Sequence, residues 1–228
     1  MIQQAHEAYN SQDYKKAFTL YEALSENGDA TAMTSLAFMH QNALGTEKDD
    51  AKALALYTQA AEQKQPYALF NLALLYSNGT GGVMHDQFKA FELYLEAAER
   101  EVPPAMYEVA LMLERGLGCM QNYSEAAFWY EEAAKRGHVE AFNNLGALYK
   151  EGHGVHQDYQ RAYICFSRAA EKELPEALYN LGLLYDQGLG VEEDHDKALD
   201  LCRKAAYKGH AKAKQIIAGL QADGKIVF

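Results

Sequence analysis

Small and aromatic residues recur along the chain at helical spacing, and the pattern repeats about every 36 residues. An alanine opens each copy; in all but the last an aromatic residue follows four positions later, and in all but the first a small pair follows at positions seven and eight. Positions i, i+4, i+7 and i+8 share one helical face, so each copy predicts a helix with a narrow apolar side. We name these the B helices. Their opening alanines are Ala17, Ala53, Ala90, Ala126, Ala162 and Ala198.

The aromatic position of the B helices is conspicuous because its last copy breaks the series. It is occupied by Tyr21, Tyr57, Tyr94, Tyr130 and Phe166, and then by Cys202. An acid or amide stands four residues before each opening alanine, where its side chain can accept bonds from the free amides of a new helix. We therefore expect N-caps at Asp13, Asp49, Asp86, Asn122, Asp158 and Asp194.

A second pattern lies between the B helices and predicts the A helices. A leucine or valine is followed by a small residue at Leu36-Ala37, Leu72-Ala73, Val109-Ala110, Leu145-Gly146 and Leu181-Gly182. Glycine inside a helix costs about 1 kcal/mol against alanine, so the two glycines predict close contact with a neighbouring helix. A glycine then ends four of these helices, at Gly79, Gly116, Gly152 and Gly188. The second glycine of each Gly-x-Gly element is interpreted as part of the same helix termination.

These residues resemble the Sel-1-like repeat, a relative of the tetratricopeptide repeat. The family pattern is matched nearly throughout by Ala177 to Tyr185, Gly188, Gly190, Val191, Asp194, Lys197, Ala198, Ala205, Ala206 and Gly209. The resemblance implies an all-α fold, a right-handed α/α superhelix (solenoid) of stacked antiparallel helix pairs. Fixed periods of this length are typical of such solenoids. We expect a single repeat domain over 1–228, in which 1–28 form a degenerate helix pair, 29–210 form five repeats, and 211–228 form a capping helix that frays from Gly224 to Phe228.

Composition narrows the choice of partners and compartment. The net charge of −11 argues against nucleic acid, because nucleic-acid binders usually carry a basic field, and favours a basic or neutral partner. The three cysteines, Cys119, Cys165 and Cys202, do not form a pair in each repeat, which favours a reducing compartment. No apolar run is long enough for a signal peptide or a membrane span. We therefore expect a cytoplasmic protein without membrane insertion.

The candidate catalytic and metal-binding residues do not form a recognisable site in the sequence. His153 and His156 supply at most two metal ligands, and the acidic run around His195 lacks the spacing of a calcium loop. Ser124 and Ser167 lack an activating motif. We therefore expect no catalytic residue, no metal and no cofactor. Some family members have been described as penicillin-binding or β-lactamase-like, so a hydrolase of that type is the alternative.

The A-helix face that is not needed for packing is the candidate binding surface. In tetratricopeptide-like stacks the A helices line the concave side, so the resemblance implies a scaffold or adaptor that binds a protein or peptide there. The candidate residues are Thr34, Phe70, Asn71, Tyr107, Glu108, Asn143, Asn144, Lys150, Tyr179 and Asn180. The recurring asparagines can bond a peptide backbone, or they can brace a neighbouring helix, and the sequence leaves both interpretations open. Self-association is a third possibility, and we expect a monomer or a weak homo-oligomer.

Overall fold

The computed structural model describes residues 1–222 and contains thirteen α-helices and no strand within that range. The chain divides into two compact units, Met1–Gln121 and a second that begins at Asn122. The helices of the first unit are α1 (Ile2–Asn10), α2 (Tyr14–Glu26), α3 (Ala30–Gln41), α4 (Asp50–Glu62), α5 (Pro66–Asn78), α6 (Gln87–Glu99) and α7 (Pro103–Arg115). Those of the second are α8 (Tyr123–Lys135), α9 (Val139–Glu151), α10 (Tyr159–Ala170), α11 (Pro175–Gln187), α12 (His195–Tyr207) and α13 (Ala211–Ala222). The predicted all-α class of stacked antiparallel helix pairs is confirmed.

The even-numbered helices from α2 to α12 are the predicted B helices, and the odd-numbered helices from α3 to α11 are the A helices. All six predicted N-caps are confirmed, because each side chain accepts a hydrogen bond from a backbone amide of the first turn. The A helices α5, α7, α9 and α11 end at glycines with a left-handed backbone, as predicted. The local signals in the sequence therefore set the start of each B helix and the end of four A helices.

The aromatic residues of the B helices form the centre of each unit. Tyr57, Tyr130 and Phe166 are completely buried, and Tyr21 and Tyr94 are at most 2% exposed. The opening alanines beside them are also buried, which lets the neighbouring A helix approach closely. Each A–B pair is thus held by a ring that packs against small residues.

Gly146 and Gly182 lie where the sequence predicts a close helix contact. A Cβ atom added to Gly146 would lie 2.8 Å from ring atom Cε1 of Phe166. At Gly182 it would lie 3.2 Å from the backbone oxygen of Ala198. Both glycines are buried, so the loss of helix propensity is offset by close packing.

The second glycine of the Gly-x-Gly elements has a different role from the predicted one. A Cβ atom at Gly118, Gly154 or Gly190 would overlap the backbone at the start of the preceding B helix, and Gly45 approaches α2 in the same way. These glycines also have a positive φ. The interpretation as helix termination was wrong for this position, because the requirement comes from a chain segment about 30 residues away.

The first A–B pair is regular in structure although its sequence is not. Ala43 stands where later copies have a terminating glycine, and its φ of 55° is left-handed all the same. The last helix, α13, begins where the capping helix was expected, and the expected fraying of 224–228 lies outside the described residues. The division into one domain with five complete repeats stays a prediction.

We expect Gly146→Ala to destabilise the protein by about 1–3 kcal/mol, because the new methyl group overpacks against the buried ring of Phe166. Gly219 in α13 is the matched control, since an added Cβ there meets no atom within 4 Å. Gly219→Ala should therefore raise the free energy of unfolding by up to about 1 kcal/mol, because alanine has the higher helix propensity. Urea denaturation measures both changes, and a stabilising Gly146→Ala would contradict the packing described here.

Candidate functional site

The first unit has an open cleft of about 280 Å³ on the A-helix side. Its lining includes two residues of the predicted surface, Thr34 and Asn71, together with the exposed Phe38. Thr34 is only 7% exposed, and its hydroxyl donates to the carbonyl oxygen of Ala30 at 2.8 Å. The hydroxyl of Thr34 is thus bonded within its own helix, and a role of Thr34 as a partner contact stays a prediction. The other four lining residues, His6, Tyr9, Tyr21 and Ser35, were not among the candidates from the sequence.

The other predicted residues of the first unit are half-buried, and Phe70 packs against the buried ring of Tyr94. Phe70 is half-buried, and its ring centroid lies 5.6 Å from that of Tyr94. Tyr107 and Glu108 are half-buried as well. Burial raises the pKa of the Glu108 carboxyl, and Arg115 partly opposes this shift. Burial, reinforced by the negative charge of Glu108, also raises the pKa of Tyr94.

A chain of hydrogen bonds joins the asparagines of the second unit. The Nδ2 of Asn180 donates to Oδ1 of Asn143 at 3.0 Å, and the Nδ2 of Asn143 donates to Oδ1 of Asn144 at 3.3 Å. The Nδ2 of Asn144 then donates to the hydroxyl of the buried Tyr130 at 3.1 Å. Asn144 therefore braces the B-helix tyrosine, whereas Asn180 stands at the outer end of the chain.

An open cleft of about 570 Å³ lies beside this chain of amides. It brings together three predicted residues, Asn143, Tyr179 and Asn180, with His210 and Lys212 from the start of the last helix. The rings of Tyr179 and His210 stack at 4.4 Å between centroids. We call this the amide cleft. His210 and Lys212 were missed as candidates, although the 36-residue register places α13 beside α11.

Lys150 does not belong to the amide cleft. Its side chain is 28% exposed and forms an ion pair with Glu151 at 2.9 Å, and its carbonyl oxygen accepts a bond from Gln157. Lys150 stays a predicted partner contact that lies outside this cleft. The structure therefore gives no reason to group Lys150 with the asparagines.

The residues considered for chemistry have structural contacts. The hydroxyl of Ser124 donates to the carbonyl oxygen of Gly154 at 2.8 Å, and burial raises the pKa of Cys165 to about 11. The imidazole of His195 lies between Asp186 and Glu193, at 3.0 and 3.1 Å. Within residues 1–222, no three His, Cys, Asp or Glu side chains converge as a metal site. No helix in this part of the chain is long and apolar enough to cross a membrane.

A cavity of about 320 Å³ in the second unit was not predicted as a site. It lies among α11, α12 and α13 and is lined mostly by apolar residues, and Cys202 is one of them. The sequence carried a signal for it, because Cys202 is the one B-helix residue that breaks the aromatic series.

The stacked helix pairs and the clefts between their A helices define an α-helical repeat protein. A family model described as Sel1 repeat matches residues 11–29, 30–64, 66–102, 103–138, 139–174 and 175–210. The chain belongs to the Sel1-repeat family.

Solved structures agree with this assignment. A Sel1 repeat protein from Oxalobacter formigenes is 31% identical, with a TM-score of 0.87, over 95% of this chain and 89% of that one. The protective antigen c5321 of uropathogenic Escherichia coli is 26% identical, with a TM-score of 0.84, over 92% of this chain and 45% of that one.

A protein related in sequence, chitin synthase regulatory factor 3 of Schizosaccharomyces pombe, is 36% identical over 70 residues, which are 31% of this chain and 8% of that protein.

We expect Glu108→Gln to raise the melting temperature at pH 7. The folded state raises the pKa of Glu108, so it binds a proton more readily than the unfolded state does. The wild type therefore loses stability as the pH rises through the unfolded pKa of about 4.3 towards the folded pKa. Melting curves from pH 3 to 8 should show the advantage of the variant disappearing below about pH 4. An advantage that is constant across this range would contradict the burial of an ionised carboxylate.

Proposed function

We propose that the chain is a protein-interaction scaffold that binds a peptide segment of a partner protein on its A-helix face, without catalysis. One observation carries this proposal: Asn143, Tyr179 and Asn180, which the sequence predicts as partner contacts, line a single open cleft. Family membership supports the general class, since solenoids of stacked helix pairs present extended binding surfaces.

The amide cleft offers the groups that an extended peptide requires. An asparagine has two donor hydrogens and an acceptor oxygen, and Asn180 uses one hydrogen in its bond to Asn143. Its oxygen and second hydrogen are available to the backbone of a ligand. The stacked rings of Tyr179 and His210 supply a flat apolar wall. The rim of the amide cleft carries charges of both signs, from Glu176 and Lys212. Recognition of a single terminal carboxylate is therefore not the main feature of the cleft.

The remaining parts of the proposal concern the cellular setting. The net charge of −11 supports a protein partner of basic or neutral character over nucleic acid. The odd number of cysteines supports a cytoplasmic location. A monomer or a weak homo-oligomer stays part of the proposal. The regulatory role named for the fission-yeast relative is not transferred, because the match spans 8% of that protein.

Peptides selected from a random library on the wild-type protein provide the probe for this proposal. Asn180→Ala should lower the affinity for the selected peptides about tenfold, since one or two net hydrogen bonds of about 0.5–1.5 kcal/mol each are lost. The melting temperature should change little, because Asn180 is the outer member of the amide chain. Gln160→Ala is the matched control, as it removes an exposed amide from α10 and should leave affinity unchanged.

Asn144→Ala separates binding from bracing in the same experiment. This variant removes the bond to the buried hydroxyl of Tyr130, so it should lower stability by about 1–3 kcal/mol. Affinity per folded molecule should change less than in Asn180→Ala. Selected peptides that bind Asn180→Ala as tightly as the wild type would overturn the assignment of the amide cleft.

A further inference from the structure

The aromatic rings of three B helices, Tyr94, Tyr130 and Phe166, together show three contact positions that recur in the repeat. The first position lies on the A helix that precedes the B helix, three residues before its small residue. Phe70 occupies this position, and its ring centroid lies 5.6 Å from that of Tyr94. The second is the small residue itself, as Gly146 shows against Phe166. The third lies on the next A helix, where the side chain of Asn144 bonds the hydroxyl of Tyr130. Together these positions form a socket that the ring fills.

The socket of the last B helix lacks its ring, because Cys202 stands in the aromatic position. Counting along the repeat, its three contact positions are Tyr179, Gly182 and Ile216. All three line the cavity of about 320 Å³, as does Cys202 itself. The nearest atoms to a Cβ at Gly182 belong to the backbone of α12 and to Leu201, rather than to a side chain at position 202. The cavity is therefore lined by the positions that contact a ring in earlier repeats.

The walls of this cavity are suited to an uncharged ring. Leu183, Leu199 and Leu220 complete its apolar lining, while Asp186 and His195 lie at its margin, bonded to each other at 3.0 Å. Burial raises the pKa of the Cys202 thiol, so this lining residue is uncharged at neutral pH. An engineered apolar cavity of about 150 Å³ is large enough to hold benzene, so the space here is sufficient for a phenol ring.

We propose that the ring socket of the last repeat binds an aromatic side chain of the partner peptide, supplied in trans where the other repeats supply their own. Tyr179 lines both this cavity and the amide cleft, so a peptide held by Asn180 passes directly beside the socket. This inference rests on the proposed function and adds a preference for tyrosine or phenylalanine at one peptide position.

Binding of p-cresol, which reproduces the side chain of tyrosine, tests the socket without any partner. Titration into the ¹⁵N-labelled full chain should shift amide signals of α11, α12 and α13 in a saturable way. Cys202→Tyr should abolish these shifts, because the new ring fills the socket as in the earlier repeats, and it should keep or raise the melting temperature. Cys202→Ser, which leaves the space open, should bind p-cresol within about twofold of the wild type.

A second variant protects the test against misfolding of Cys202→Tyr. Ile216 is 42% exposed on the opposite wall, so Ile216→Phe should be tolerated and should also weaken p-cresol at least about tenfold. Equal binding to the wild type and to both filled variants would overturn the proposal, as would an absence of saturable binding to the wild type. Binding that appears only after Phe228→Ala would assign the socket to the end of this chain and would likewise overturn it.

Failure of the socket differs from failure of the proposed function. If the selected peptides depend on Asn180, carry no aromatic residue and bind Cys202→Tyr as tightly as the wild type, that result would support the scaffold function and overturn the socket. If p-cresol binds saturably but no peptide is selected, the proposed function is overturned, and with it the assignment of a peptide side chain to the socket. Enrichment of one aromatic position among the selected peptides, lost when Cys202→Tyr is the bait, is the result that we expect.

Discussion

The contact between a buried B-helix ring and a small A-helix residue is the constraint on which each helix pair depends. Phe166 against Gly146 shows its tightness, because even one additional methyl group would approach the ring within 2.8 Å. The contact requires small residues at fixed places on both helices, and it therefore explains why alanine and glycine recur with the period of the repeat. It also supports the candidate site, since the hydroxyl of Tyr130 anchors the chain of amides that ends at Asn180.

Much of the fold could be predicted because its signals are local. The caps at Asp158 and Gly188 depend only on backbone groups a few residues away, and such groups can be read from spacing alone. The role of Gly154 could not be predicted in this way, because the backbone that it approaches belongs to Tyr123, about 30 residues earlier. The left-handed Ala43 shows the same limit, since the surrounding helix pair imposes a conformation that its own sequence disfavours.

The candidate site was predictable as a surface but not as a set of bonds. The register placed Asn143, Tyr179 and Asn180 on one face, and they line one cleft. The sequence could not decide between binding and bracing, because the answer depends on whether a hydroxyl lies within reach, as Tyr130 does for Asn144. The ring socket had a clear sequence signal, the cysteine in an aromatic series, yet its meaning required the three contact positions to be known.

The amide-exchange footprint of a selected peptide on the full chain tests the central claim most directly. If the A helices form the binding face, protection within residues 122–222 should concentrate on α9, α11 and the start of α13, with Asn180 and Tyr179 among the strongest changes. The amides of the B helices α8 and α10 should remain unchanged. Protection confined to those B helices would contradict the account. The peptide would then bind on the B-helix side, away from the amide cleft.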